Sequence, residues 1–335
     1  MSTLEQTAKQ LVADHKGLLA ADESIETAGR RLASIGLEST EETRRQYRNI
    51  FFTAPGVEEG LSGVIMFEET MKQSADDGTP FVEILQQKGI IPGIKVDAGT
   101  KDLEGFPGEK ITEGLDTLPD RLKGFFEAGA RFAKWRSVIT IGDGIPTDFC
   151  IEANARIMAR YAALAQEAGI VPIVEPEVLI NGDHNLATSE AVTTRVLRAT
   201  FEQLHAHHVD VTGIILKSSM AISGNACVIQ ATPEEIAEAT IRMFETTVPH
   251  EVSGIVFLSG GQGAVQATVN LNAINKASRG SWKISFSYAR ALQGPSLEIW
   301  KGKPENVPAA QKEFLKRLRA NVKANAGTYS SEDET

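Results

Sequence analysis

At 335 residues, with 42% hydrophobic and 23% charged residues, the chain is long enough for one large α/β barrel or two ordinary domains. No apolar run approaches the roughly 20 residues of a membrane-spanning helix. The stretch from Met1 to Lys16 also lacks the hydrophobic core and small-residue cleavage site of a secretory signal, so a cytoplasmic location and no membrane partner are expected. The net charge of −10 argues against nonspecific nucleic-acid binding and requires any anion site to be locally concentrated.

In chain order, eight short runs rich in Ile and Val each end in a polar residue and give way to a helix-like stretch. They are Gly17 to Ser24, Ser62 to Glu68, Gly89 to Asp97, Ala130 to Ile139, Gly169 to Glu177, Val211 to Lys217, Ser253 to Gly260 and Trp282 to Arg290. Continuous hydrophobicity means strands covered on both faces, as parallel strands with intervening helices are. Eight repeats predict a closed (β/α)8 TIM barrel, and the absence of a Pro/Ser-rich linker predicts a single domain over residues 1–326. Residues 327–335 read as a flexible acidic tail without a packing face. Between the strands, Thr232-Pro233-Glu234-Glu235 and Ser39-Thr40-Glu41-Glu42 predict capping boxes, and Gly89 a helix C-terminus.

In a parallel barrel the loops after the strands form one mouth, and charges gather there in this chain. Asp22, Lys95 and Asp97, Lys134 and Arg136, Glu175 and Glu177, Lys217, Ser259 and Arg290 all fall near run ends. The side-chain period of two puts Lys95 with Asp97, Lys134 with Arg136, and Glu175 with Glu177 on shared faces. An ammonium at the end of an apolar strand is costly to desolvate, which points to chemistry needing a neutral amine or a fixed cation. A lysine attacks a ketone as the neutral amine, and the protonated imine that results stabilises an adjacent carbanion, permitting reversible carbon–carbon cleavage. Lys95, Lys134 and Lys217 are candidates for nucleophile and neighbour, and Glu175, Glu177 and Asp22 for acid and base. A single such lysine also fits a snorkelling side chain or a barrel ion pair; three lysines with three carboxylates favour the chemistry.

Leu258-Ser259-Gly260-Gly261-Gln262-Gly263 follows the seventh run, where barrel enzymes often bind phosphate, and Arg290 ends the eighth. The turn departs from GxGxxG, and its glycines also fit positions of positive φ. Arg30-Arg31 is a candidate second anion site or a solvated helix face. Against metal chemistry, His205-Ala206-His207-His208 lies where a helix ends and histidine serves the carbonyl end, and His184 reads as a loop residue. Cys150 and Cys227 have no metal-like spacing and read as buried small side chains in a reducing compartment.

With those residues assembled, the chain resembles class I fructose-1,6-bisphosphate aldolases over nearly its whole length. The matching stretches are Leu18-Leu19-Ala20-Ala21-Asp22-Glu23-Ser24, Gly93-Ile94-Lys95-Val96-Asp97, Phe132-Ala133-Lys134-Trp135-Arg136 and Ile173-Val174-Glu175-Pro176-Glu177, followed by the Leu258 to Gln262 turn, Asn270 to Asn275 and Ser287 to Gln293. The resemblance implies a (β/α)8 lyase of glycolysis and gluconeogenesis that splits fructose 1,6-bisphosphate through a Schiff base, commonly as a homotetramer, without metal or organic cofactor. It implies Lys217 as the imine-forming residue, Glu175 as principal acid/base, Lys134 as the cation that activates Lys217, Asp22 at the C4 hydroxyl and Glu177 in support. Arg290, Ser259, Gly260 and Gly261 would hold one phosphate, and Ser24, Thr27, Arg31 and Lys95 the other end of the substrate, with Arg136 in the binding set. The chain departs from the animal pattern at Lys217-Ser218-Ser219, where those enzymes have Lys-Pro-Asn, at Ala289, which replaces a glycine, at Thr27 and Arg30, and in lacking a terminal Tyr. The Ser-Ser departure reads as a loop adjustment, and Ala289 adds a methyl group beside a backbone donor. Thr27 and Arg30 leave mono- against bisphosphate preference open, and tail-assisted proton transfer is not carried over.

Overall fold

The computed structural model describes residues 3–278, 280 and 282–334. Among the described residues, ten strands run in chain order as β1 (Gly17–Ala21), β2 (Leu61–Met66), β3 (Ile91–Lys95), β4 (Thr100–Asp102), β5 (Lys110–Thr112), β6 (Phe132–Ile139), β7 (Val171–Val178), β8 (Ile215–Ser218), β9 (Gly254–Phe257) and β10 (Ile284–Tyr288). Eight of them close a parallel barrel in the order β1-β10-β9-β8-β7-β6-β3-β2, with β2 returning to β1. β1, β2, β7 and β10 are buried along their whole length, because helices cover the outer face while side chains fill the inside. This is the (β/α)8 barrel that the eight apolar runs predict.

Phe132 fills the lower barrel and Phe286 sits in the shell between sheet and helices, and each ring dictates glycine opposite it. A Cβ on Gly93 would lie 2.3 Å from the Phe132 ring, and one on Gly17 would lie 2.4 Å from the Phe286 ring. The helix Thr3–Leu11 seals that end, packing Ala8 and Leu11 against Leu18, Ile65, Phe132, Ile173 and Val256. Only the carboxyl ends of the strands are left to open as a mouth. Outside, Trp135 stacks on Tyr161 of the helix Asp148–Glu167 with ring centroids 5.5 Å apart, one contact in a continuous shell between sheet and helices.

The Thr232 box forms as expected, with Glu235 N–H donating to Thr232 Oγ1 (3.2 Å) and Thr232 N–H to Glu235 Oε2 (2.8 Å). Gly89 sits at φ +67° directly after its helix. In the Thr40 box the reciprocal partner is Thr43. His207 ends the helix Leu186–Ala206 with its Nδ1 2.9 Å from Gln203 O, and the described residues contain no group of three potential metal ligands.

Four details differ from the sequence reading. The sixth run starts late, because Val211–Gly213 is a 3-10 turn held by the Asp210 carboxylate, which accepts from Thr212 N–H (2.9 Å). The antiparallel hairpin β4–β5 is an addition beside the mouth. Cys227 is only half-buried, its thiol donating to Ile229 O (3.2 Å), whereas Cys150 is buried as read. Finally, the acidic end has a packing face after all. Tyr329 is buried and donates its N–H to Asn272 Oδ1 (3.1 Å), while Glu334 pairs with the buried guanidinium of Arg317 and accepts from Tyr329 Oη (2.7 Å). A buried guanidinium requires a counter-ion, and the tail supplies it.

Candidate active site at the barrel mouth

All fourteen site residues singled out from the sequence line one cavity of about 1210 Å³ at the carboxyl ends of the strands. Parallel register sets their levels. Lys95 lies opposite Lys134, Arg136 opposite Glu175, and Val138 opposite Glu177, so inward side chains of β3, β6 and β7 converge in two adjacent layers.

Lys134 stands at the centre. Its Nζ is 2.8 Å from Asp22 Oδ2, 3.2 Å from Glu175 Oε2 and 4.0 Å from Asp97 Oδ2. The other oxygen of Glu175 lies 3.1 Å from Lys217 Nζ, so a single carboxylate bridges two ammonium groups. The four side chains are nearly inaccessible: Lys134 and Glu175 are 4% exposed, Lys217 5% and Asp22 11%. Burial alone would raise the Asp22 pKa, but the ammonium groups of Lys134 and Lys217 outweigh it and hold the carboxyl well below the usual range. Burial would likewise lower the Lys134 pKa, and Asp22, Glu175 and Asp97 together push it well above that of an ordinary lysine. Lys134 is therefore a fixed cation across the physiological range.

Asp97, which the sequence placed at the mouth without a role, ties this centre to its rim. Its Oδ1 is 2.7 Å from Lys95 Nζ and accepts from Gly99 N–H (3.1 Å), while Oδ2 accepts from Arg136 N–H (3.3 Å). Arg136 Nε in turn donates to Glu177 Oε2 at 2.5 Å. Asp22, Asp97, Glu175 and Glu177 thus balance Lys95, Lys134, Arg136 and Lys217. Arg31 and Arg290 are further cations at the same cavity, in a molecule whose net charge is −10.

At one wall, Gly260 (φ +49°) and Gly261 (φ +91°) turn the chain between Ser259 and the helix Ala264–Ala277. Glycine is required there by backbone conformation. The position of a Cβ on Gly261 is 3.9 Å from Arg290 Nη2, so guanidinium and glycine turn face the same space. Asn270 Nδ2 braces the turn by donating to Gln262 Oε1 (2.7 Å). Ala289, where the animal pattern has glycine, has φ −104°, so the left-handed backbone that favours glycine is not used there.

At the opposite wall, Ser24 caps the helix Ile25–Ala33, its Oγ accepting from Thr27 N–H (3.3 Å). Arg30 is exposed and paired with Glu26. Arg31 is held from behind by Glu23, by Tyr47 Oη (3.2 Å) and by Gln293 Oε1 (2.5 Å). Glu23 also pairs with the buried Arg48 (2.7 Å), and Gln293 Nε2 donates to Ala20 O (3.2 Å), anchoring the end of β1 below Asp22. Glu23, Tyr47, Arg48 and Gln293 were not legible as supports for the site. Ser287 also escaped notice: it is buried, lines the cavity and leaves its Oγ without a partner. The alternation Ser285, Phe286, Ser287, Tyr288 was the available signal, since period two marks the hydroxyls as a second face.

Residues 3–335 of the chain match the family model for class-I fructose-bisphosphate aldolase. The chain is 51% identical to the cytosolic fructose-bisphosphate aldolase 6 of Arabidopsis thaliana over 318 residues, covering 95% of this chain and 88% of the relative. It is 48% identical to the probable class 1 fructose-bisphosphate aldolase of Xanthomonas campestris, covering 97% and 98%. Among solved structures, the fructose-bisphosphate aldolase of Plasmodium falciparum, crystallised with TRAP and a small-molecule inhibitor, superposes with a TM-score of 0.97 at 44% identity, covering 98% of this chain and 95% of the other. The chain belongs to the class-I fructose-bisphosphate aldolase family.

Proposed function

We propose that this protein reversibly cleaves fructose 1,6-bisphosphate to dihydroxyacetone phosphate and glyceraldehyde 3-phosphate through an imine on Lys217. The observation that carries this reading is Glu175 lying between two buried amines, 3.1 Å from Lys217 Nζ and 3.2 Å from Lys134 Nζ. Glu175 takes the ammonium proton of Lys217, and the free amine attacks the C2 carbonyl of the substrate. Lys134, held cationic, stabilises the developing oxygen charge; the attacking nitrogen passes one proton to that oxygen and Glu175 returns a second as it leaves as water, giving the protonated imine. The C4 hydroxyl then gives its proton to Asp22 while the C3–C4 bond breaks and its electrons move into the protonated imine, forming an enamine. A carboxylate as acidic as Asp22 is a weak base, so the pull of the imine supplies most of the driving force. Glu177, fixed by Arg136, assists the proton transfers. Reprotonation at C3 and hydrolysis of the imine restore Lys217.

Arg290, Ser259 and the N–H groups of Gly260 and Gly261 bind one phosphate of the substrate, and Ser24, Thr27, Arg31 and Lys95 bind the other end. The reaction belongs to glycolysis and gluconeogenesis. The assembly proposed by family membership is a homotetramer, and the proposed location is the cytoplasm, supported by the cytosolic naming of the Arabidopsis relative. No described helix is long and apolar enough to cross a membrane.

The test is a coupled cleavage assay with fructose 1,6-bisphosphate and with fructose 1-phosphate. Turnover of both, with a higher kcat/KM for the bisphosphate, supports the proposal. Tight binding of either sugar without cleavage would instead make this a noncatalytic phosphosugar-binding barrel.

A further inference from the structure

Lys217 is the third of the four residues of β8, and its amine must stay within proton-transfer distance of a carboxylate on the neighbouring strand. The main-chain register between β7 and β8 consists of Ile173↔Ile215 and Val174↔Leu216. Glu175, Glu177 and Lys217 all lie beyond it. On its other flank β8 is better held, since its register with β9 continues through Lys217↔Val256 and Ser218↔Phe257, and Leu258 N–H donates to Ser218 O (3.1 Å). The side facing the Glu175 strand is therefore the loose one.

Ser219 closes it. Its Oγ accepts from Val178 N–H at 3.1 Å and donates to Val178 O at 3.0 Å, so one hydroxyl serves both main-chain groups of a residue on β7. The side chain is buried, and Ser218, fully buried beside it, donates to the Ser219 carbonyl (2.9 Å). Val178 follows Glu177 directly and is paired with Ile139 on its far side. Ser219 thus joins the end of the lysine strand to the end of the glutamate strand at the level where the ladder has stopped. The Ser-Ser sequence after Lys217 does more than adjust a loop.

We infer that Ser219 is a positioning residue for the imine step: its hydroxyl fixes Lys217 relative to Glu175 without touching substrate. This inference rests on the proposed Lys217 mechanism. A displacement of about 1 Å between reacting groups costs on the order of 100-fold in rate, whereas the phosphate contacts proposed at Ser259 and Arg290 are carried by other strands. Loss of the hydroxyl should therefore lower kcat and spare KM.

Three variants test it: Ser219→Ala, Ser219→Thr and Ser219→Asn. Threonine keeps the hydroxyl, and a carboxamide can also accept from an N–H and donate to a C=O. Each purified full-length protein is assayed for kcat and KM with fructose 1,6-bisphosphate. Each is also assayed for the rate at which borohydride traps dihydroxyacetone phosphate on Lys217, with thermal midpoints measured in parallel. The expected result is a roughly 10- to 100-fold loss of kcat and of trapping rate in Ser219→Ala at nearly constant KM, with recovery to within a few-fold in at least one of the other two. Unchanged kcat in Ser219→Ala, a parallel collapse of KM and thermal midpoint, or loss in all three variants would overturn the role. The wild-type control separates the two levels: no label on wild-type Lys217 defeats the proposed reaction, whereas a labelled wild type and an equally fast Ser219→Ala defeat only the positioning role.

Discussion

Replacing Lys134 with methionine removes a cation that touches three carboxylates, and the consequence should depend on pH in a defined direction. Each close pair at about 3 Å contributes roughly 5–6 kcal/mol of attraction at an effective dielectric constant of about 20. Relief of the lysine's own desolvation offsets part of this, so the net loss near pH 8 is about 3–5 kcal/mol, the range for breaking a buried ion pair. In the wild type, Asp22 is depressed below its ordinary 3.8, so its contribution is present above that pH and lost as pH falls through the lower folded value. Lys134 is raised above its ordinary 10.5, so its contribution is complete below that pH and lost as pH rises through the higher folded value. Between pH 5 and 8 neither group makes wild-type stability vary.

In Lys134→Met, Asp22, Asp97 and Glu175 face one another without that cation, and the cluster takes up a proton more readily folded than unfolded. Stability of the variant then rises as pH falls, by about 1.4 kcal/mol per unit for each proton bound only in the folded state. Urea unfolding of both proteins at pH 8 and pH 5, followed by tryptophan fluorescence, should show a gap that shrinks by about 2–3 kcal/mol at the lower pH. A gap independent of pH would refute the reasoning, because it would mean that Lys134 does not neutralise the cluster.

Arg290→Lys preserves the charge but loses the planar pair of donors, so KM for the bisphosphate should rise about tenfold, consistent with roughly 1–2 kcal/mol for a charge-assisted contact; an unchanged KM would remove Arg290 from the phosphate site. Because Lys134 supplies the fixed cation beside the proposed reacting oxygen, exhaustive chelation should leave turnover unchanged, and a loss that zinc restores would contradict this. Glu334→Gln leaves the Arg317 guanidinium buried without its counter-ion and should cost about 2–3 kcal/mol in urea unfolding, less than the roughly 3–5 kcal/mol of a fully buried pair because Glu334 is partly exposed. An unaltered urea midpoint would show that the tail does not brace the helix Val307–Asn325.

The barrel was legible because continuous Ile/Val runs recur with helix-length gaps, and only a parallel sheet covered on both faces uses such strands. The β4–β5 hairpin was not, since its strands carry Lys101, Asp102 and Lys110 and turn through Gly105 and Gly108, leaving no apolar stripe. The tail was misread for the same physical reason: its order comes from Glu334 reaching Arg317 and from a single aromatic, Tyr329, and neither leaves a periodic trace. At the mouth, the shared faces of Lys134 with Arg136 and Glu175 with Glu177 followed from period two. Tyr47, Gln293 and Arg31 meet only after the chain has closed the barrel, so their network had no local signal. Ser219 belongs to the same class. A serine after a strand is common, and what distinguishes this one is a pair of contacts to Val178 across the sheet.

The central claim is that Lys217 forms the covalent intermediate while Lys134 stays a cation, and borohydride reduction of the protein with dihydroxyacetone phosphate, followed by peptide mapping, tests it most directly. The added mass is expected on Lys217, and Lys134→Met should slow its appearance without moving it. An adduct on Lys134 or Lys95, or no adduct under conditions of full turnover, would contradict the mechanism.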